Sequence, residues 1–332
     1  MAGPPQNPPR SDGNGNALVI LGVVWGDDGC LVRLRVPTAG DGPAERSQLV
    51  PVIGMELNYR VPTTPTRHCL GHSSPRRNNG EYADCFNRPQ PNERNCVNCA
   101  VADAEFASNL HHAHTRDRGE LDKAVVDHLE QTNILYLAAF RDGSVKIGTS
   151  TGHRKVKRLT EQGAWRAVEV ATVKDGFLVR RLEDLVTEKL GLAQSVAVKR
   201  KLSGMANPLG EQMLDQRLDP MVDEVHRLLG STDRLPGADD VATTDGDLEL
   251  TAERWSFPGS ESEVWNGLHL YPARLDGGTH HLEVLEMCGR MAVLARPGSD
   301  DRFVADLGQL FGVELDLGQY QPDQLAVQDS LF

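Results

Sequence analysis

No stretch of the chain approaches the ~20 consecutive apolar residues that a bilayer-spanning helix needs, so no membrane span is expected. The first residues, MAGPPQNPPRSDGNGN, lack the apolar core of a secretory signal and read as a flexible tail over 1–16 on a cytoplasmic protein. P-loop, G-x-G-x-x-G and G-x-S-x-G motifs are all missing, which removes support for a phosphate-cradling glycine loop and for a serine-hydrolase elbow. There is no internal repeat, and lysine is absent altogether beyond Lys201. Aromatic residues are few, at 5%, yet hydrophobic residues reach 39% of 332 positions. That is enough apolar material for a real core in two or three domains, and it excludes collagen-like, coiled-coil and wholly disordered chains.

A formal net charge of −12 argues against a surface that is a nucleic-acid platform throughout. The charge is unevenly placed. Residues 143–201 carry 13 Lys/Arg against 6 Asp/Glu, whereas 202–332 carry 8 Arg against 24 Asp/Glu. A basic block can concentrate a polyanion, because each phosphate it neutralises releases counterions. DNA or RNA is therefore an expected partner of 143–201, the alternative being a solvated basic face balanced by an acidic neighbour. The acidic part is expected to dock on the basic domain, to meet a protein partner or to keep the chain soluble.

Four of the six cysteines fall within one short segment as Cys69-x15-Cys85-x10-Cys96-x2-Cys99. The segment is rich in Pro, Asn, Gly and Arg, with Leu70, Tyr82, Phe86 and Val97 among its few apolar residues. It cannot bury enough surface to fold unaided. A structural zinc would order it, since four thiolates at ~2.3 Å close a tetrahedral shell and contribute folding energy outright. Without a secretory signal, metal ligation is favoured over disulfides. His72 follows Cys69 at x2 spacing and could replace one sulfur, and His68 is adjacent. Cys30 and Cys288 read as small buried hydrophobes. The His111, His112 and His114 run reads either as a metal tract or as a solvated helix face.

Residues 134–140 form an apolar strand, the Asp142-Gly143 turn closes a hairpin, and Val145–Gly148 returns. A helix is expected over 153–162 with Gly163 as its stop, then a strand over 167–173 and a helix over 177–190. On that last helix Glu183 shares a stripe with Val179, Val186 and Leu190. A carboxylate there must be paired, hydrogen-bonded or metal-bound, and Arg180 and Arg181 are the nearby candidates.

Tyr136, the Lys146-Ile147-Gly148 run, an arginine on the following helix and the helical Glu183 resemble the GIY-YIG nuclease superfamily over roughly 133–191. The resemblance implies an α+β fold with a GIY-YIG-like β-β-α-β-α central domain, together with a metal-dependent phosphodiesterase site. In active members the tyrosine helps activate water, the arginine stabilises the phosphate and the glutamate holds one divalent cation, Mg²⁺ or Mn²⁺. Tyr136, Arg158 and Glu183 fall in matching positions, with Lys146 where the second tyrosine stands and Arg154 as a rival to Arg158. A closer resemblance spans most of the chain. Cys69-x-Gly71, Tyr82-x-x-Cys85, Cys96-x-x-Cys99, Tyr136-Leu137-Ala138, Val145–Gly148 and Glu161–Ala164 are similar to an uncharacterised bacterial family that joins a cysteine cluster to a GIY-YIG-like module.

The flanks complete the expected organisation: an N-terminal β module over 17–66, a zinc-binding module with connecting helices over 67–130, the central domain over 131–201, a helical region and acidic linker over 202–247, and an acidic β-rich module over 248–332. Two functions compete. One is a nuclease with Tyr136, Lys146, Arg158 and Glu183 at its site and zinc at Cys69, Cys85, Cys96 and Cys99. The other is a non-catalytic nucleic-acid or protein-binding module on the same framework.

Overall fold

The computed structural model describes residues 17–26, 29–37, 46–73, 82–121, 123–231 and 248–322. The expected tail over 1–16 and nearly all of the acidic linker lie outside them. In chain order the strands and helices begin with β1 (Ala17–Gly26), β2 (Gly29–Arg35), β3 (Gln48–Pro51), β4 (Glu56–Val61), β5 (His72–Ser73) and β6 (Tyr82–Ala83). Then come α1 (Val97–His111), α2 (Lys123–Leu129), β7 (Asn133–Ala139), β8 (Val145–Thr151), α3 (Lys155–Gln162), β9 (Arg166–Val173) and α4 (Gly176–Leu190). The remainder are α5 (Val198–Ala206), α6 (Glu211–Gly230), β10 (Leu248–Ser256), β11 (Leu268–Leu270), β12 (Gly278–Cys288), β13 (Met291–Ala295), β14 (Arg302–Asp306) and β15 (Glu314–Leu317). The class is mixed α+β.

These elements form two compact units, one drawing on both ends of the described chain and on 82–102, the other on 103–262. The first unit combines N-terminal strands with strands from the C-terminal part of the chain. Its nine-stranded sheet runs β11-β14-β13-β12-β4-β15-β1-β2-β3, so β15 lies between β1 and β4, and β12 pairs with β4. Three or four N-terminal strands expose too much edge and apolar face to stand alone. Pairing with the C-terminal strands removes that edge and closes a core that includes Ile20, Val32, Leu57, Tyr59, Val284, Leu294 and Leu315. Tyr59, fully buried, donates its hydroxyl to the Leu275 carbonyl at 3.0 Å.

The second unit is built on the sheet β10-β9-β7-β8. β7 is buried along its whole length, as a central strand covered on both faces must be. Ile134, Tyr136, Ala138, Phe140, Ala167 and Leu159 of α3 form one cluster. α4 and α6 also pack on the sheet; α6 turns Leu214, Leu218, Val222, Val225 and Leu229 inward at helical spacing. β10 is an edge strand of this sheet. It pairs antiparallel with β9 rather than with the C-terminal strands, and its mostly exposed residues leave no apolar signature by which to assign it.

Candidate metal centre and the polar cluster of the central sheet

Three short pieces of the first unit deliver the cysteines: the stretch leading into β5, the stretch after β6, and the start of α1. The Sγ atoms of Cys69, Cys85, Cys96 and Cys99 all lie within 4.8 Å of one another. Cys85 and Cys96 sulfurs are 3.7 Å apart, against about 3.8 Å for the edge of a tetrahedron with ~2.3 Å zinc–sulfur arms. All four thiols are free rather than paired in disulfides. Backbone N–H groups point at the sulfurs, as ligand thiolates require: Cys96 N–H to Cys69 Sγ at 3.2 Å and Gly71 N–H to the same atom at 3.5 Å. Gly71 has φ +83°, and a Cβ there would sit 2.0 Å from the Ala83 carbonyl oxygen, so this Cys-x-Gly turn admits glycine alone.

The Cys99 backbone N–H, with further hydrogen bonds from its neighbours, lowers Cys96 to about 6. Burial chiefly raises Cys69 and Cys99. One thiolate is thus favoured and its neighbours resist ionising, an imbalance that a bound cation removes. The donor set fits a soft tetrahedral metal ion. His72 stands outside the four sulfurs, with Nδ1 3.4 Å from Cys99 Sγ, and His68 turns to Glu314 at 2.8 Å. Among the described residues this is the one Cys/His/acid group with metal-holding geometry. His114 pairs with Asp184 at 2.8 Å and His112 is exposed, while the side chain of His111 lies outside the described residues. Cys30 and Cys288 are buried away from the centre.

Two neighbours of the centre carried no sequence signal. Arg33 and Arg35 on β2 are 7% and 4% exposed. Arg35 Nη1 donates to the Cys85 carbonyl at 2.7 Å, and Arg33 Nη2 donates to the Leu70 carbonyl. Their guanidiniums stand 5.0 Å and 4.7 Å from the ring centroids of Phe86 and Tyr82.

In the second unit, the structure places the four central-domain candidates as follows. Tyr136 and Gly148 are register partners on β7 and β8, and Lys146 lies two residues before Gly148 on the same face. The Tyr136 ring lies over Gly148, where a Cβ would be 2.5 Å from the hydroxyl. Gln162 donates to that hydroxyl at 2.7 Å, and Arg158, one turn earlier on α3, lies beside it. Burial raises the Tyr136 pKa, and the charge of Arg158 opposes the rise. Lys146 Nζ is 5.8 Å from the Tyr136 ring centroid and donates to the Gln194 carbonyl at 3.0 Å. Glu183 is buried on α4, accepts from Arg180 Nη1 at 3.0 Å and lies 3.5 Å from Thr149 Oγ1. Arg158 and Glu183 both act electrostatically on Tyr136 and on Lys146.

Arg154 instead pairs with Glu161 at 3.5 Å, and Arg181 reaches the His114 carbonyl. Gln162 and Lys201, which donates to the Gln162 carbonyl at 2.7 Å, join the cluster unforeseen; the i, i+4 spacing of Arg158 and Gln162 is the signal that could have found the first. Much of the basic block is internally paired, as Lys155 with Glu169 and Glu253 and Arg166 with Asp215.

Burial chiefly lowers Lys146 to about 8 from 10.5, with Arg158 adding to the shift. Between those values the unfolded chain binds the extra proton, so stability rises with pH through that window; below about 8 the cost of burying the charge is present in full. Lys146→Met is expected to remove this rise, which is at most roughly 3 kcal/mol. Denaturant midpoints of the two proteins at pH 7, 8, 9 and 10 test it, and parallel profiles would reject the shift.

The family described as "Protein of unknown function (DUF2797)" matches residues 57–250. No curated protein and no solved structure matches the chain.

Proposed function

Since the chain belongs to the DUF2797 family, whose function is unknown, we propose one from the sites themselves: a nucleic-acid-interacting protein with a GIY-YIG-like central unit and a structural zinc module. The observation that carries it is the gathering of Tyr136, Lys146, Arg158 and Glu183 into one polar cluster on a β-hairpin and its two following helices. Arg158 is suited to neutralise a phosphate, and among the described residues no carboxylate forms an ion pair with it. Phosphate contacts by Arg158 and its cationic neighbours supply affinity without reading sequence.

Phosphodiester cleavage is the finer form of this reading. Tyr136 and Lys146 would orient the attacking water, and Arg158 would stabilise charge developing on the phosphate. Glu183, with Thr149 beside it, would hold a divalent cation. A single carboxylate suits Mg²⁺ or Mn²⁺, which draw their other ligands from water and phosphate oxygens; that ion would supply Lewis-acid chemistry. The non-catalytic alternative draws on a specific feature, the closed Glu183–Arg180 pair beside a Tyr136 that is 1% exposed.

Binding of the full chain to labelled single- and double-stranded DNA and RNA, followed by cleavage assays with Mg²⁺ and Mn²⁺, tests both forms. Affinity is expected to fall steeply between 50 and 200 mM salt, by about tenfold or more for each two to three phosphate contacts. Arg158→Ala is expected to weaken binding on every sequence alike. An absence of binding at low salt rejects the nucleic-acid reading, and binding without cleavage selects the non-catalytic form.

A further inference from the structure

We propose that Arg33 and Arg35 are the built-in counter-charges of the four-cysteine centre, so that loading the centre with a divalent cation and seating β2 against it are one equilibrium. This rests on the metal reading of the centre and on nothing in the second unit.

Guanidiniums are almost never buried this deeply without an anionic partner. Here the described neighbours supply one carboxylate for two cations. Asp84 stands 3.8 Å from Arg33 Nη1 and is itself tied to Ser47 Oγ at 2.6 Å and to Ser47 N–H at 3.0 Å. Arg33 Nη1 and Arg35 Nη2 are buried with no hydrogen-bond partner. Tyr82 and Phe86 offer ring faces, which attract a cation but carry no charge. The carbonyls that do anchor the two arginines belong to Leu70, next to Cys69, and to Cys85 itself. Both side chains are thereby fastened to the backbone that presents the ligand sulfurs.

Four thiolates around one divalent cation leave two negative charges, and the two guanidiniums, of which Asp84 offsets only one, face them with positive charge to spare. With neutral thiols only Asp84 would offset the two guanidiniums, whereas thiolates gathered on a cation supply the missing negative charge. The arrangement therefore favours a cation bound by all four sulfurs as thiolates.

Zinc is the probe, and the full-length protein is the sample. Zinc affinity is measured by competition with a chromogenic chelator, and melting temperature is recorded with zinc and with excess chelator, for wild type, Arg33→Met, Arg35→Met and Arg35→Lys. Each methionine variant is expected to weaken zinc binding about 10–100-fold, the range found when outer partners of a metal site are lost. It should also lower the melting temperature of the zinc-loaded protein by clearly more than that of the chelated protein, where only the carbonyl contacts and, for Arg33, the Asp84 pair are lost. Arg35→Lys, which keeps the charge and loses the planar fork, should retain most of the affinity; should Arg35→Met not fold, Arg33→Met and this lysine variant decide the matter. Equal melting losses in both states would show that the arginines only pack. Unchanged zinc affinity in the methionine variants likewise overturns the counter-charge role while leaving the metal centre intact. A wild-type protein that takes up no zinc overturns the metal reading and this inference together.

Discussion

Cys96→Ser is expected to reduce bound zinc from one per chain to well under one and to destabilise the first unit by more than about 4 kcal/mol, the range reached when a structural metal is lost. Cys96 is the hub of the centre. Its N–H donates to Cys69 Sγ, its own sulfur lies 3.7 Å from that of Cys85, and it leads directly into α1. Around it there is little else to hold the segment: Tyr82, Phe86 and Val97 are about half exposed, so their burial contributes little. Cys288→Ser is the control. That residue is fully buried but far from any ligand role, and introducing a hydroxyl there should cost only about 1–3 kcal/mol. Elemental analysis and thermal melts with and without chelator check both. Chelator should lower the melting temperature of the wild type and of Cys288→Ser but leave Cys96→Ser where it is. Wild-type protein that purifies without zinc, all thiols reacting freely, would sink the assignment.

Glu183→Gln is expected to lower Mg²⁺-dependent cleavage at least ~100-fold, the scale on which one transition-state charge contact is felt, while binding of uncleaved nucleic acid persists. The amide matches the carboxylate in size but ligates a hard cation poorly. Because Glu183 also pairs with Arg180 at 3.0 Å, with side chains 8% and 23% exposed, the substitution leaves a half-buried guanidinium without its partner, and melting curves must accompany the rates. Arg158→Ala should lose cleavage as well, and Arg154→Ala should keep it, since Arg154 is turned to Glu161. A well-folded Glu183→Gln protein that cleaves at the wild-type rate assigns the carboxylate to its ion pair alone.

The parts of the molecule legible in its sequence are those whose partners are close along the chain. The β7–β8 hairpin is signalled by an apolar run and an Asp-Gly turn, and the end of α3 by Gly163, which takes φ +69°. The cysteine spacing likewise points to one centre. What escaped depends on distant pairing. Nothing in residues 17–61 announces that β15 will lie between β1 and β4. In β2, Val32 and Leu34 alternate with Arg33 and Arg35, a pattern that ordinarily marks an apolar inner face and a polar wet one. Here the cysteine module covers the second face, so both arginines are buried. Alternation tells which residues share a face; it does not tell what lies against it.

The threading of the nine-stranded sheet has a consequence for how the protein is made. β1 and β4 each hydrogen-bond to β15, whose first residue follows Val61 by about 250 positions. At ~5–20 residues per second, the N-terminal strands wait roughly 10–50 s on the ribosome for the segment that separates and satisfies them. Through that interval the edges of β1 and β4 are open templates for another nascent chain. The sheet β10-β9-β7-β8, drawn from within 103–262, has all its strands at hand by the time Ser256 emerges. The unit that begins first is therefore the one that finishes last, and the vulnerable period of biosynthesis belongs to the strands at its start.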